Sequence, residues 1–285
     1  MKTPVLLLFV SFSCAASAQY YYNDIVVTGE TNSLMQSFQA NKVKMATATG
    51  YDANGVKTSD FSEVREMKEG GRALKITSRS EGAYSALYNR FDEQSRLVSV
   101  TDSSSSTLST TTYQYDAAGR IVLIQNTLRD SLNDFNQTEI HQWIYNAAGK
   151  PEKMWRTING SDSLEVKFNP DEHGNPGEEV SYKGRIETDR VYYYFDDQGR
   201  LTDIVRYNKK VKKLLPDMIF TYDESGKVIQ LVKSSDPDNL GKVTWFGYFI
   251  WRYLYNEKGL KTKEALFNNE QQMTGKIEYR YNFSQ

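Results

Sequence analysis

A short motif recurs along most of this chain: an aromatic residue, then Asp or Asn, then two small or polar residues, then Gly. Successive copies are separated by 24 to 40 residues. A repeat of this length constrains the fold strongly, because each copy must form the same local structure. The acidic or amide residues of the eight copies are Asp52, Asp92, Asp116, Asn146, Asp171, Asp196, Asp223 and Asn256, and Tyr281 with Asn282 begins a ninth.

Each copy of the motif predicts a tight turn between two antiparallel strands. The Asp or Asn side chain can accept hydrogen bonds from backbone N–H groups within the turn. Gly at the fourth position adopts a left-handed conformation at low cost, which is typical of a type I turn followed by a bulge. The second copy carries Ser95 in place of Gly, and the fifth has Pro170 in place of the aromatic residue.

The residues before each turn alternate between apolar and polar. Counting back from the Asp or Asn, positions −1, −3 and −5 are mostly aromatic or aliphatic, and the positions between them are polar. Before Asn282 the two sets are Tyr281, Tyr279 and Ile277 against Arg280, Glu278 and Lys276. This period of two predicts antiparallel strands with one buried face.

Together these patterns predict an all-β fold, an antiparallel up-and-down meander of about sixteen strands built from tandem β-hairpin repeats. All motif turns are expected at one edge and the dissimilar connections at the other. A sheet this large is expected to be strongly curled or barrel-like, with the aromatic face inside. We expect residues 19–50, which contain no clean turn, to form an N-terminal cap segment, and residues 51–285 to form one β-hairpin repeat domain.

The first 18 residues are predicted to be a signal peptide. Lys2 supplies a positive start, residues 5–10 are apolar but too few to span a bilayer, and Ala16-Ser17-Ala18 fits a cleavage site. Lipidation of Cys14 is the alternative, although residues 11–13 form a poor lipidation motif. Cys14 is the single cysteine, so the mature chain would form no intramolecular disulfide.

The motif resembles the YD repeat of Rhs-like exported bacterial β-repeat proteins. The copies at residues 112–121 and 194–201 are the most similar, and the likeness extends over roughly residues 51–282. The chain is also similar to small exported proteins of unknown function that fold as porin-like β-meanders. These resemblances imply stacked β-hairpins that form a shell, and they supply no catalytic residue.

Candidate catalytic groups are few. We expect His141 to pack on the apolar face that carries Trp143 and Tyr145, and His173 to be solvated in a turn. With two distant histidines, we predict no metal site, no cofactor and no catalytic set. The adjacent pairs Glu178-Glu179 and Asp196-Asp197 keep open a carbohydrate-active hydrolase that uses paired carboxylates.

The most apolar stretch is residues 245–255, which is apolar on both faces except at Arg252. We expect a central strand that is buried on both sides. The alternative is exposure, in which case Trp245, Tyr248 and Trp251 are possible ligand contacts through ring stacking.

The sequence therefore predicts an exported protein of the periplasm, cell surface or medium with a binding or scaffold role and no enzymatic activity. The expected partner is a glycan or an envelope protein. Lys and Arg number 35 against 36 Asp and Glu, which disfavours nucleic acid. An outer-membrane porin-like β-barrel is the first alternative and the hydrolase is the second, while the oligomeric state remains open.

Overall fold

The structure is a computed structural model. The predicted signal peptide and Cys14 lie outside the described part of the chain, and so does Trp245. The described residues are 20–80, 83–103, 107–130, 132–208, 212–234 and 247–284.

These residues form one α-helix, a short 3₁₀ turn and eighteen strands. The helix is α1 (Asn23–Ala40) and the 3₁₀ turn is Glu69–Gly71. The strands are β1 (Val43–Asp52), β2 (Lys57–Lys68), β3 (Ala73–Ser80), β4 (Ala83–Phe91), β5 (Leu97–Ser103), β6 (Thr107–Tyr115), β7 (Ile121–Asp130), β8 (Phe135–Tyr145), β9 (Pro151–Ile158), β10 (Asp162–Pro170), β11 (Pro176–Lys183), β12 (Ile186–Phe195), β13 (Leu201–Asn208), β14 (Lys213–Tyr222), β15 (Val228–Ser234), β16 (Tyr248–Tyr255), β17 (Lys261–Phe267) and β18 (Met273–Phe283).

The eighteen strands close into a barrel. Every strand pairs antiparallel with its neighbours in sequence, and β1 pairs with both β2 and β18. The closing pair runs from Val43 opposite Phe283 to Asp52 opposite Gly275. Closure removes both sheet edges, which an open sheet of this size would have to protect. The predicted all-β, antiparallel, barrel-like meander is confirmed.

Two strands exceed the sixteen expected, and they change the position of the first turn. The 40 residues between Asp52 and Asp92 hold β2, β3 and β4 rather than two strands. Because three strands separate the first motif turn from the second, these two turns lie at opposite edges of the sheet. The turn after Asp52 is therefore at the edge opposite the other seven motif turns. The expectation that all motif turns share one edge is therefore wrong for the first copy. The second extra strand is β18, which follows the last full copy.

We call the edge with the other seven motif turns the short-turn edge and the opposite one the long-loop edge. The turns have the predicted geometry: Asp116 Oδ1 accepts the N–H groups of Ala118 and Arg120, each at 2.9 Å, and Gly119 has φ +79°. Ser95 occupies the same left-handed position with φ +60°. The connection between β17 and β18, which begins at Asn268, forms the same turn at the long-loop edge.

Side chains link the motif turns of Asp92, Asp116 and Asp196 to the next turn around the short-turn edge. Arg120 Nε donates to Asp116 Oδ2 at 2.7 Å, and its guanidinium lies 4.7 Å from the centre of the Tyr145 ring. The Tyr145 hydroxyl in turn donates to the carbonyl of Ile121 at 2.8 Å. The same three contacts recur from Asp92 to Tyr115 and from Asp196 to Tyr222. They explain why Tyr, Asp and Arg recur together in the repeat.

This ladder predicts a measurable stability effect. Replacing Tyr145 by Phe removes the hydrogen bond to Ile121 but keeps the ring, so the free energy of unfolding should fall by about 1 kcal/mol. Urea denaturation measures the change. The control is Tyr194→Phe, since Tyr194 is 50% exposed on the outer face and should change stability by less than about 0.5 kcal/mol. Equal effects at the two positions would contradict the ladder.

Helix α1 and residues 20–22 lie inside the ring of strands. Asn32 Oδ1 accepts the N–H of Leu97 on β5 at 2.8 Å, and Asp24 contacts His141 on β8 at 2.6 Å. The backbone N–H of Tyr22 reaches β11, at Glu179. A segment that contacts strands on several sides of a closed ring must lie within it. Residues 20–41 are named the plug below.

The far end of the plug sits at the short-turn edge. Gln39 Nε2 donates to the carbonyl of Gly71 at 2.9 Å, and Asn41 Nδ2 donates to that of Lys258 at 3.3 Å. Met35 and Phe38 are almost fully buried, and they share a core cluster with residues of β1, β3, β4 and β5 and with Leu260, which precedes β17. The plug thus obstructs the barrel interior, the lumen, near that edge. No helix in the described ranges is long and apolar enough to cross a membrane.

The predicted N-terminal cap segment of residues 19–50 thus contains the plug and most of β1. The plug obstructs the lumen near the short-turn edge from inside the ring. Residues 43–50 are a wall strand in which Ala46, Ala48 and Gly50 face the lumen. Gly50 leaves room there, because an added Cβ would lie 2.8 Å from Thr58.

Candidate functional site

A cavity of about 220 Å³ lies in the lumen between the plug and strands β3 to β8, and we call it the plug cavity. Its plug side includes Asp24, Thr28 and Thr31. Its wall is formed by the lumen-facing residues of these strands, which alternate with outward ones, and it combines aliphatic side chains with polar ones. The aliphatic wall includes Leu74, Ile76, Leu87, Leu97, Val100 and Ile124, and the polar wall Asn89, Asp102, Ser109, Thr111, Asn126, Glu139 and His141.

One end of the cavity holds a chain of buried charges. His141 Nδ1 lies 2.6 Å from Asp24 Oδ2, and His141 Nε2 lies 2.8 Å from Glu139 Oε1. Arg156 Nε donates to the same Glu139 oxygen at 2.9 Å. The Tyr21 ring stands edge-on to the imidazole, with 5.5 Å between ring centres. This chain joins the plug to β8 and β9 through the single imidazole of His141.

The carboxylates of Asp24 and Glu139 favour the protonated form of the His141 imidazole. Burial by itself would lower the pKa of His141, but the charge of Asp24 and the hydrogen bonds to Asp24 and Glu139 outweigh it and raise the pKa to about 9. His141 is therefore protonated at neutral pH, and both ring nitrogens donate. An opposite charge within hydrogen-bond distance favours the charged form of a buried group in this way.

A second contact holds the start of the plug. Glu179 is 2% exposed and accepts the N–H groups of Tyr21 and Tyr22 at 3.1 and 2.9 Å. It also accepts the hydroxyl of Tyr193 at 2.7 Å. Burial raises the pKa of Glu179 to about 7, against the opposing effect of these hydrogen bonds. This carboxyl group therefore positions the backbone of the plug.

A third contact lies on β13 and β14. The Tyr20 hydroxyl donates to the carboxylate of Asp217, and Arg206 forms an ion pair with the same carboxylate. The Arg206 guanidinium also lies 5.3 Å from the centre of the Tyr20 ring. The plug is thus bound to β8, β11 and β14 by polar contacts near its N-terminal end, and these three strands lie on different sides of the lumen.

The polar wall away from His141 offers several hydrogen-bond acceptors. Asn126 Nδ2 donates to Ser109 at 2.7 Å and to Thr111 at 2.8 Å, so its amide protons are used within the wall. Asn89 Nδ2 donates to the carbonyl of Leu74. Asp102 Oδ1 is buried and has no hydrogen-bond partner among the described residues, and burial raises the pKa of this carboxyl group.

The structure does not bring the three aromatic residues proposed as ligand contacts to one face. Trp245 lies outside the described residues. Tyr248 and Trp251 are three positions apart on the regular strand β16, so their side chains point to opposite faces of the wall. Trp251 is paired with Leu231 and Leu266, whereas Tyr248 is opposite Ser234. A contact between these two residues and one ligand remains a prediction without geometric support.

For the described residues of this stretch, 247–255, the expectation of a strand buried on both faces is wrong. No residue of β16 is fully buried, and Leu254 is 58% exposed. The reason is architectural, since a barrel wall has one face in the lumen and one outside, whereas burial on both faces requires a layer packed on each side.

The carboxylate pairs proposed from the sequence do not converge either. Glu179 faces the lumen, while Glu178 is on the outer face in an ion pair with Arg190. Asp196 accepts the backbone N–H groups of its own turn and pairs with Arg200. Glu178 and Glu179 therefore cannot flank one scissile bond, and Asp196 is engaged within its own turn.

The role of His141 exceeds what the sequence indicated. Its position on the face of Trp143 and Tyr145 is confirmed, and so is its burial, with 6% of the residue exposed. The ion pair with Asp24 joins residues 117 apart and was not predictable from spacing. Glu139, two positions before His141 on the same face, was the one nearby residue in the sequence that could have indicated a polar partner for His141. His173 is exposed in its turn, as predicted.

Within the described ranges, no group of three or more His, Cys, Asp or Glu side chains could hold a metal ion. The chain of Asp24, His141 and Glu139 does not form such a group because the imidazole lies between the two carboxylates and both of its nitrogens are engaged. The groups around the plug cavity can accept hydrogen bonds, donate through the imidazolium and contact apolar surface.

Comparison with solved structures finds similar chains of low identity. A porin-like protein from Bacteroides uniformis is 9% identical, with a TM-score of 0.37, and the match covers 85% of this chain and 97% of that one. A chain of the Photorhabdus luminescens Tc holotoxin pore is 12% identical, with a TM-score of 0.31, over 85% of this chain. This chain spans 17% of the length of that toxin chain. No curated protein matches this sequence.

A family model matches part of the sequence. The model is that of the RHS repeat, and it covers residues 91–130. This range begins at the second motif turn, includes β5 to β7, and contains the ladder contacts from Asp92 to Tyr115. The resemblance to the YD repeat that the sequence predicted is thereby confirmed, and the chain is a closed β-barrel that carries an RHS repeat.

Proposed function

We propose that this chain is an exported binding protein of the cell envelope or surface and that the plug cavity is its ligand site. The observation that carries the proposal is the cavity itself, about 220 Å³ between a fixed plug and a wall with both aliphatic and polar side chains. Sites for small molecules are typically concave and mostly apolar, with a few polar groups that fix orientation.

The plug favours binding over conduction. Barrels of 16 to 18 strands are wide enough to leave an aqueous channel. Here His141, Glu179 and Asp217 hold the plug across the lumen, and Phe38 buries its ring near the short-turn edge. An internal segment that is held this firmly supports a closed container rather than an open pore.

The outer wall favours a barrel surrounded by water. Met154 and Val166 are fully buried toward the lumen, so Lys153, Glu165 and Lys167 point outward. Glu165 pairs with Lys153 at 2.7 Å and with Lys167 at 3.5 Å. Lys and Arg side chains on a lipid-facing barrel surface cost about 2–4 kcal/mol each at the bilayer midplane, and acidic side chains cost less. This supports a periplasmic, surface or extracellular protein over the porin-like alternative.

The test begins with the chain from Gln19, purified without detergent, and a fragment library screened by ligand-observed NMR. We expect fragments that bind the wild-type protein to lose binding in Leu87→Trp, because the indole would fill the plug cavity. Leu108→Trp is the matched control, since Leu108 is on the outer face of β6 and 44% exposed. It should retain binding.

Two results would count against the proposal. The first is a folded wild-type protein that binds no fragment, or fragments that bind equally to Leu87→Trp and Leu108→Trp. The second is a chain that stays folded only in detergent, which would favour the porin-like alternative. Circular dichroism of both variants shows whether the barrel is intact in each measurement.

A further inference from the structure

The charges around the plug cavity do not balance. Three carboxylates line it, those of Asp24, Asp102 and Glu139, together with the imidazole of His141. The first and third are joined to His141, and Glu139 also pairs with Arg156. Counting Arg156, two cationic groups therefore face three carboxylates. Asp102 is left without an ionic partner among the described residues, and no Lys or Arg is part of the described lining.

The unpaired carboxylate of Asp102 lies at a position where an unsatisfied hydrogen-bond acceptor destabilises the protein. Its Oδ1 is buried from solvent and accepts no hydrogen bond in the described part of the chain. A buried acceptor left without a partner costs about 1–3 kcal/mol, and more when it is charged. Asp102 is opposite Leu87 on β4 and Ser109 on β6, so aliphatic and hydroxyl groups surround it. A donor supplied by a ligand would remove this cost.

The rest of the wall indicates which donor fits. The Nδ2 group of Asn89 donates to Leu74, which leaves its Oδ1 as an acceptor on a lining residue. The amide protons of Asn126 are used on Ser109 and Thr111. A positively charged ligand with several N–H donors matches such a wall. A neutral polyol would leave the Asp102 charge uncompensated and would place hydroxyl groups against the aliphatic side chains.

We infer that the plug cavity binds a small organic amine, whose ammonium group pairs with Asp102 and whose apolar part contacts the aliphatic wall. This inference rests on the proposed function and specifies its ligand class. The volume of the plug cavity is consistent with such a ligand, because a cavity of roughly 150 Å³ holds benzene and this one is about 220 Å³. An amine with a single ring or a short alkyl chain would fit.

The test measures binding of three probes to the chain from Gln19 by isothermal titration calorimetry at neutral pH. The probes are 2-phenylethylamine, its neutral analogue 2-phenylethanol, and glucose. We expect the amine to bind the wild-type protein at least roughly tenfold more tightly than the alcohol, since a charged hydrogen bond distinguishes them. Asp102→Asn should weaken binding of the amine by a similar factor and leave the affinity for the alcohol unchanged.

The control variant is Asp203→Asn, because Asp203 lies on the outer face of β13 and should bind all probes like the wild type. Equal affinity for amine and alcohol in the wild-type protein would overturn the amine assignment, even if Asp102→Asn fails to fold. Binding of glucose, or of the alcohol at least as tightly as the amine, that Leu87→Trp abolishes would keep the proposed function and exclude the amine. A protein that binds none of the probes and no fragment would exclude both.

Discussion

Replacing Phe38 by alanine is expected to lower the free energy of unfolding by about 3–5 kcal/mol, a large effect for one side chain. Phe38 is 1% exposed on the plug, and its ring lies edge-on to Tyr281 of β18 with 6.1 Å between ring centres. It belongs to the cluster that joins Met35 to Leu74 and Leu97 on the wall. Chemical denaturation followed by tryptophan fluorescence measures the loss.

The size of this effect depends on whether plug and barrel unfold together. The matched control is Phe135→Ala, since Phe135 is the first residue of β8 and is 45% exposed, so its removal should lower the free energy of unfolding by less than about 1 kcal/mol. If the plug instead detaches before the barrel unfolds, Phe38→Ala would leave the barrel transition in place and make residues 20–41 sensitive to protease. That outcome would show that the plug is an independently mobile segment.

The local structure of the repeat was predictable because short-range chemistry determines it. Asp or Asn and Gly at fixed spacing specify the turn, and the alternation before each turn specifies which side chains face inward. Tyr279 and Trp143, both at position −3, are buried in the lumen as this pattern requires. The Tyr–Asp–Arg ladder depends on contacts between successive repeats, so a single copy of the motif could not indicate it.

The strand count was less predictable because the repeat spacing is uneven. A spacing near 25 residues accommodates two strands, whereas 40 residues can hold three strands or two with a long loop. The structure places β3 in that interval and joins it to β2 through Glu69–Gly71. Ala73 and Leu74 are fully buried, but two such residues in sequence do not distinguish a strand from a loop.

Helix α1 could not be predicted from local sequence. Its first half contains Ile25, Val26, Val27 and Gly29, which are poor or moderate helix formers. Packing inside a closed barrel supplies the stability that propensity does not, as is usual for helices in proteins. The plug cavity depends on that packing and so does the pairing of Asp24 with His141, which explains why the candidate site was missed.

The contacts of the plug make stability depend on pH. The folded-state pKa of Glu179, about 7, is above the ordinary value of 4.5, so its contribution is greatest below pH 4.5 and is lost as pH rises through 7. The folded-state pKa of His141, about 9, is above 6.5, so its contribution is complete below pH 6.5 and is lost as pH rises through 9. Both groups therefore destabilise the protein toward alkaline pH.

His141 has the larger separable effect, because its window from pH 6.5 to 9 extends above that of Glu179. One pKa unit corresponds to about 1.4 kcal/mol, so the shift to about 9 represents about 3 kcal/mol. His141→Gln removes the charge and leaves the buried carboxylates of Asp24 and Glu139 without it. The free energy of unfolding should therefore differ between wild type and variant far more at pH 6 than at pH 9.5.

Urea denaturation at pH 6, 7.5 and 9.5 measures that difference, and His173→Gln is the control. The His173 side chain is 70% exposed in its turn, so the control should follow the wild-type pH profile. We expect the gap between wild type and His141→Gln to shrink by about 3 kcal/mol across this range. A gap that stays constant from pH 6 to 9.5 would mean that His141 stabilises the plug by shape and hydrogen bonding, with no contribution from its charge.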